Sequence, residues 1–411
     1  MTYHLDGSPN TQTDQRGVVH TYQYDTNRRV ELDRITSFGS SGIVDDTVKS
    51  IGRSYDTLGR TTAVTSYSTN NGSGTPVNQL AYTYDGTYGT LTKTEQEHEG
   101  AVDGSTPSVQ YGYDTTTSSN IFTNALRRKS TTYPNGRIVH ETYGAANSIA
   151  DRLSRVDMLA EDASGSPGTD LTAYTYAGTS RLVSSDLKPI EVKLDLHQGG
   201  SGNDRFGRTV DHLWDDYGSG SPPDISRIKH GYDYAGNRTW REDVMAAANA
   251  EHHDEFYMHD GLHRLKNFDR GDLNVGKTAI SGTPGVEQDF SLDQLGNWEN
   301  LLTKTSGSTT LDQDRAHNAA NETGTIDVWQ NPAHDAAGNM TTIPRPKAPA
   351  SGYTAKYDAW NRLVSLEDGN GVVEVNEYDG LHRRIVRDDT GGSYSQKSWI
   401  GVPIRRRLLG G

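Results

Sequence analysis

Three groups of residues in this 411-residue chain have types and spacing that suggest chemistry. The first is Gly271-Asp272-Leu273-Asn274-Val275-Gly276-Lys277-Thr278. It matches, letter for letter, the loop whose backbone N–H groups cradle phosphate while its lysine reaches the outer oxygens. Such a loop opens into a helix. Ala279-Ile280-Ser281-Gly282-Thr283-Pro284-Gly285 follows instead, and Pro and Gly forbid a helix of useful length. Asp272 would also stand against the phosphates. A connecting loop is expected, without nucleotide. Arg270-Gly271-Asp272, an adhesion-type tripeptide overlapping it, is too short to weigh.

The second group is His252, His253, Asp254, Glu255, His259, Asp260 and His263. Zinc needs three or four such ligands converging at about 2 Å. The spacing is not that of two histidines one turn apart on a helix. His259, Asp260 and His263 also occupy slots of a repeated turn motif, so a His variant of that turn beside a solvated acidic loop is expected. The third group is the carboxylate pairs Asp215-Asp216 and Glu161-Asp162. Glycosidases use paired carboxylates, but neighbours on a strand point to opposite faces. No G-x-S-x-G nucleophile elbow occurs. The expectation is therefore no enzyme, no metal and no cofactor.

Most charged residues belong instead to an iterated tract, Tyr-Asp-x-x-Gly/Asn-Arg. It is plain at Tyr55-Asp56-Thr57-Leu58-Gly59-Arg60. It returns at Tyr24-Asp25-Thr26-Asn27-Arg28-Arg29, at Tyr357-Asp358-Ala359-Trp360-Asn361-Arg362 and at Tyr378-Asp379-Gly380-Leu381-His382-Arg383. Tyr232-Asp233-Tyr234-Ala235-Gly236-Asn237-Arg238 reads as a form with one more residue. Weaker copies start at Tyr84, Tyr113, Tyr133, Tyr176, His259, Leu292, His317 and His334. Self-similarity of this kind means one small unit laid down many times.

Before each turn, large residues alternate: Val18, His20, Tyr22, Tyr24; Leu80, Tyr82, Tyr84; Ile228, His230, Tyr232. Period two means a β-strand with one packed face. Tyr suits that face, with a buried ring and a hydroxyl left wet. Asp starts an Asx-type turn. Gly59, Gly236, Asn27 or Asn361 is expected to take positive φ. Arg60, Arg362 and Arg383 open the return strand, stem over a Tyr ring and head on the Asp. Each such ion pair is expected to be exposed and worth ~0.5 kcal/mol.

Gly/Ser/Pro-rich stretches at 72–76, 165–168, 199–202 and 218–223 mark loops, and the one helix candidate is 242–250. The pattern resumes after every loop, so residues 1–411 read as a single array without a separate catalytic domain. The hydrophobic fraction of 32% argues against a thick dry core and for a thin sheet with one wet face. Net charge −14 argues against nucleic acid as partner. With no cysteine there are no disulfides or thiolate metal sites. No run approaches the ~18 apolar residues of a membrane-spanning helix, and residues 1–6 do not read as a signal peptide.

These tracts resemble the YD repeats of the RHS family, found in bacterial polymorphic-toxin shell proteins and related to the teneurins. The resemblance implies an all-β fold: YD hairpins forming a spiralling β-sheet shell, or part of its wall. It implies as partners an enclosed C-terminal toxin domain or the remaining shell segments, and a secreted or cell-surface location. The family's Asp-Pro-x-Gly-like segment, where the C-terminal domain is cut away, is not found, so a stretch of wall from something larger is expected. An alternative of the same architecture is a cell-surface module gripping glycans. Trp214, Trp240, Trp298, Trp360 and Trp399 are its candidate residues, although Trp in a β-wall is more often packing. A metal-dependent hydrolase rests only on the histidine group.

Overall fold

The computed structural model describes residues 1–39, 42, 44–114, 126–218, 224–389, 394–399 and 402–407. Among them are 33 strands, two short α-helices and two 3-10 turns. The strands pair almost throughout with their sequence neighbours in antiparallel fashion, as expected of alternating segments joined by tight turns. The expected all-β repeat architecture is observed.

The chain divides into two compact units. One contains residues 1–111, 132–136 and 318–411; the other contains 112–131 and 137–317. In the first unit, Val18–Tyr24 pairs with Val30–Phe38, Ser50–Tyr55 with Thr61–Tyr67, and Pro76–Tyr84 with Leu91–Glu97. Its C-terminal part repeats the scheme, with Ala348–Asp358 against Leu363–Asp368 and Gly371–Tyr378 against Arg384–Asp389. One pairing departs from the rule: Val44–Asp45 lies parallel to Tyr357–Asp358. It brings residues about 300 apart in sequence into one ladder.

Both small apolar cores lie in this unit. Val18, Ile35, Val44 and Ala359 form one; Ile51, Val64 and Leu80 form the other; Trp360 packs against both. The second unit runs as successive hairpins, among them Met158–Ala163 with Ser166–Ala177, Asp224–Tyr232 with Arg238–Asp243, Asp254–His259 with Leu265–Gly271, and Val286–Leu292 with Trp298–Thr305. Its buried apolar residues, such as Val139, Ala160, Val183 and Leu301, are dispersed.

The helix expected at 242–250 is the short Val244–Ala248, capped by Asp243, whose Oδ1 accepts the Ala246 N–H at 3.1 Å. A second, Ile149–Arg152, has no counterpart in the sequence reading and is capped by Ser148. The 165–168 stretch is a tight reversal rather than a long loop, because Ser164 and Gly165 take positive φ and the strand starts at Ser166. Part of the 218–223 loop and the return of the Tyr113-Asp114 unit lie outside the described residues, as does the Trp399 side chain.

Candidate functional site

The iterated turn is the site, and its chemistry is hydrogen bonding. In turn 56–60 the Asp56 N–H donates to the Arg60 carbonyl at 2.9 Å and the Gly59 N–H to the Asp56 carbonyl at 3.0 Å. Asp56 Oδ1 accepts the N–H groups of Leu58 and Arg60, each at 2.9 Å. Its Oδ2 accepts Arg60 Nε at 2.6 Å. Both carboxylate oxygens are thus committed inside five residues. The same arrangement recurs in turns 25–29, 260–264, 358–362 and 379–383. Backbone N–H groups are the largest influence holding the carboxyls of Asp25 and Asp260 below the usual range, with their arginines adding to the effect.

Positive φ falls on the fourth residue: Gly59 (86°), Gly236 (97°), Asn361 (61°), and also Arg28 (63°), His263 (64°) and His382 (65°). Asn27 is therefore not the left-handed residue of its turn; Arg28 is, because the Asp–Arg bonds place residue 29 in the fifth slot. Turn 233–237 is not longer than the others. Asp233 Oδ1 accepts Asn237 N–H at 2.8 Å and Oδ2 accepts Asn237 Nδ2 at 2.7 Å, so Asn237 stands where arginine stands elsewhere. Arg238 is the first residue of the return strand. Turns 293–297 and 335–339 use asparagine in the same way. The amide of Asn237 is the largest influence lowering the Asp233 pKa.

The arginine does not lie over the tyrosine of its own turn. Its guanidinium covers the tyrosine of the following one: Arg29 over Tyr55 at 4.2 Å, Arg60 over Tyr84 at 4.4 Å, Arg208 over Tyr232 at 4.6 Å, Arg362 over Tyr378 at 4.9 Å. Arg208, Arg264 and Arg362 also donate from Nη1 to the carbonyl of the next turn's aspartate, at 2.8, 2.7 and 3.1 Å. The tyrosine answers in the other direction. Tyr55 Oη donates to the Val30 carbonyl at 2.9 Å, Tyr84 to Thr61 at 2.9 Å, Tyr357 to Met340 at 3.0 Å and Tyr378 to Leu363 at 2.8 Å. These hydroxyls are bonded to the preceding hairpin rather than left wet. Nor are the ion pairs fully exposed. Side-chain exposure is 26% and 21% for Arg60–Asp56, and only 8% and 3% for Arg362–Asp358.

The hairpins closed by these turns also carry a register shift next to the tyrosine slot. Tyr55 opposes Thr61 but Ser54 opposes Ala63, and Tyr378 opposes Arg384 but Glu377 opposes Val386. The same shift occurs at Tyr24, Tyr232, His259, Leu292 and Tyr357. One extra residue on the return strand is a β-bulge, which raises local twist.

Sequence reading missed one full turn, 204–208. Asp204 Oδ2 accepts Arg208 Nε at 2.6 Å and Gly207 takes positive φ, but Asn203 stands where tyrosine is expected. The signal was Asp-x-x-Gly-Arg alone. A variant turn at 14–18 was also not singled out: Asp14 Oδ1 accepts the Val18 N–H at 2.9 Å, and Arg16, the third residue, makes the side-chain contact at 2.9 Å.

The other candidates resolve as structure. In the 271–278 segment, Leu273 bridges Ile280, Lys277 takes positive φ and pairs with Glu242 while lying over Trp240, and no helix follows. His252 meets Asp272 at 2.8 Å, and His263 sits in a turn's fourth slot. No group of three or more His, Asp or Glu is placed to hold a metal among the described residues. Trp360 packs in the cores and donates from Nε1 to Asp33 at 2.9 Å, and Trp298 packs against Phe290 with the rings tilted by 51°. No helix among the described residues is long and apolar enough to cross a membrane.

No family model matches the chain, and no curated protein matches it. Solved structures do. The Tc holotoxin pore of Photorhabdus luminescens superposes with a TM-score of 0.69 at 12% identity, over 97% of this chain and 20% of that one. TcdB2-TccC3 gives 0.61 at 13% identity over 97% and 20%. The form of TcdB2-TccC3 without its hypervariable C-terminal region gives 0.59 at 13% identity over 98% and 21%. The chain has the all-β YD-repeat fold. The motif resemblance to the RHS/YD family and the fold likeness coincide, and this YD array spans about a fifth of the length of the solved chains it matches.

Proposed function

We propose that the YD array is a stretch of non-catalytic shell wall in a toxin-encapsulating system of the RHS type, secreted or delivered at the cell surface. One observation carries this reading. Arg29, Arg60, Arg208 and Arg362 each commit their charge to their own aspartate and their flat face to the next tyrosine, so the motif joins hairpins rather than exposing groups to a substrate. A motif that spends its carboxylate and its guanidinium on its own turn and on the next hairpin is a building element. Likeness to Tc-toxin chains supports the same reading. As partners, the reading names the remaining wall segments and an enclosed C-terminal toxin domain.

The test is electron cryomicroscopy of the protein expressed from its full reading frame. A hollow β-walled particle with density inside is the expected result. A solid particle, or an array lying on the outside of another domain, would overturn the reading.

A further inference from the structure

Turn 358–362 is held in place by a histidine from the far end of the chain. His20, on the strand Val18–Tyr24, has a side chain 12% exposed and both ring nitrogens engaged. Nδ1 lies 2.9 Å from Asp33 Oδ1, and Nε2 lies 3.1 Å from the Ala359 carbonyl oxygen. Both partners only accept, so both bonds are complete only when the ring carries two protons. Asp33 is tied to the same turn by its other oxygen, which accepts Trp360 Nε1 at 2.9 Å. The His20 ring lies between Tyr22, stacked at 6.3 Å, and Trp360, edge-on at 5.6 Å.

The neighbouring charges leave this pair dominant. Asp14 adds negative charge from the preceding turn. Arg16 is bonded to Asp14 and donates to the carbonyls of Asp358 and Ala359 at 3.0 and 3.3 Å. Asp358 and Arg362 neutralise each other within the turn at 2.6 Å. His382, on turn 379–383, is held toward its neutral form by burial and by Arg362 and Arg53.

We propose that His20 is a pH-dependent latch: protonated, it clamps turn 358–362 onto the N-terminal sheet, and neutral, it loosens that seat. A neutral ring donates from one nitrogen only. Keeping the proton on Nε2 turns the Nδ1 lone pair toward the Asp33 carboxylate. Keeping it on Nδ1 leaves the Ala359 carbonyl with the Arg16 guanidinium alone, at 3.3 Å. The Nδ1 tautomer loses the direct bond to a segment more than 300 residues away, and the Nε2 tautomer loses the bond to Asp33, the carboxylate that also holds Trp360. Burial draws the His20 pKa down, but the hydrogen bond and charge of Asp33, with the Ala359 carbonyl, outweigh it and raise the value above 6.5. A raised value in the folded state means the contribution is complete below 6.5 and fades as pH rises through the folded value. The inference does not depend on the shell reading: a free-standing array would show the same latch.

Hydrogen exchange read by mass spectrometry on the whole chain tests it, between pH 5.5 and 9, after correction for intrinsic exchange. Protection of peptides spanning 354–366 is expected to fall as pH rises through the folded-state value of His20. His20→Gln should give low protection without that slope, and Asp33→Asn should flatten it. His140→Gln, which removes the 2.7 Å contact to Asp162 in the second unit, should leave the slope unchanged. A pH-independent wild type, or the wild-type slope in His20→Gln, overturns the proposal. Should His20→Gln fail to fold, the ring resonances of His20 in 15N-histidine-labelled wild type decide: titration at or below 6.5 overturns it.

Discussion

Turns 56–60 and 358–362 are one five-residue object in two settings. Their inner bonds agree closely: Asp N–H to the fifth carbonyl at 2.9 and 3.0 Å, and Arg Nε to Asp Oδ2 at 2.6 Å in both. Their surroundings differ. Leu58, the third residue of the first turn, is 75% exposed. Trp360, its equivalent, packs on Val18, Ile35, Ile51, Val64 and Leu80. The motif is therefore not itself a surface device or a core device. Its loop closes in the same way whether the third residue meets water or a sheet, and the third residue decides which turn seats.

The largest effect should separate the two settings directly. Arg362→Met leaves the Asp358 carboxylate buried without its partner and should cost about 3–5 kcal/mol. Arg60→Met, where water replaces the partner, should cost about 1 kcal/mol. Equal losses in urea melts would erase the comparison. Next is Gly59→Val, expected at about 1–2 kcal/mol because φ is positive there and a Cβ would stand 3.0 Å from Arg29 Nη1. An unchanged melting temperature would contradict the turn geometry. Tyr55→Phe and Tyr378→Phe each remove one hydroxyl bond to the preceding hairpin, at about 0.5–1.5 kcal/mol. A markedly larger loss at Tyr378 would show that seating strengthens the joint as well as the loop.

The mildest contrast lies along the pH axis. His230 in the second unit is pushed down to about 4, first by burial and then by Arg238 and His212. A depressed histidine lends stability above its ordinary value of 6.5 and loses it as pH falls toward 4. The unit carrying His230 should therefore loosen in acid, while the unit carrying His20 tightens. Residue-resolved exchange at pH 5 and 7.5 checks the opposite signs. Below about pH 4, the lowered carboxyls of Asp25, Asp56 and Asp260 protonate in turn, and both units should weaken.

Strand content, turn positions and the aspartate–arginine bond were legible in the sequence, because each is encoded within six consecutive residues. Asn27 misled because asparagine tolerates positive φ better than most residues with a Cβ, and only the bonding to Arg29 fixes the frame. Asn237 misled because a side-chain amide can replace a guanidinium, which spacing alone does not reveal. The bulge beside each tyrosine has no residue-type signature. The seating of Trp360 depends on Asp33 and His20, more than 300 residues away, which no local pattern records.

The direction of the arginine–tyrosine contact has a genetic consequence. A repeat with both tyrosine and arginine offers a ring to the unit upstream and a cation to the unit downstream. A tandem duplication of one hairpin would thus insert without a mismatched joint, its ends already complementary to their new neighbours. Loss of a whole hairpin heals in the same way, whereas a frame-preserving deletion of half a hairpin strands a cation opposite nothing. Length in such an array is free to drift by whole copies.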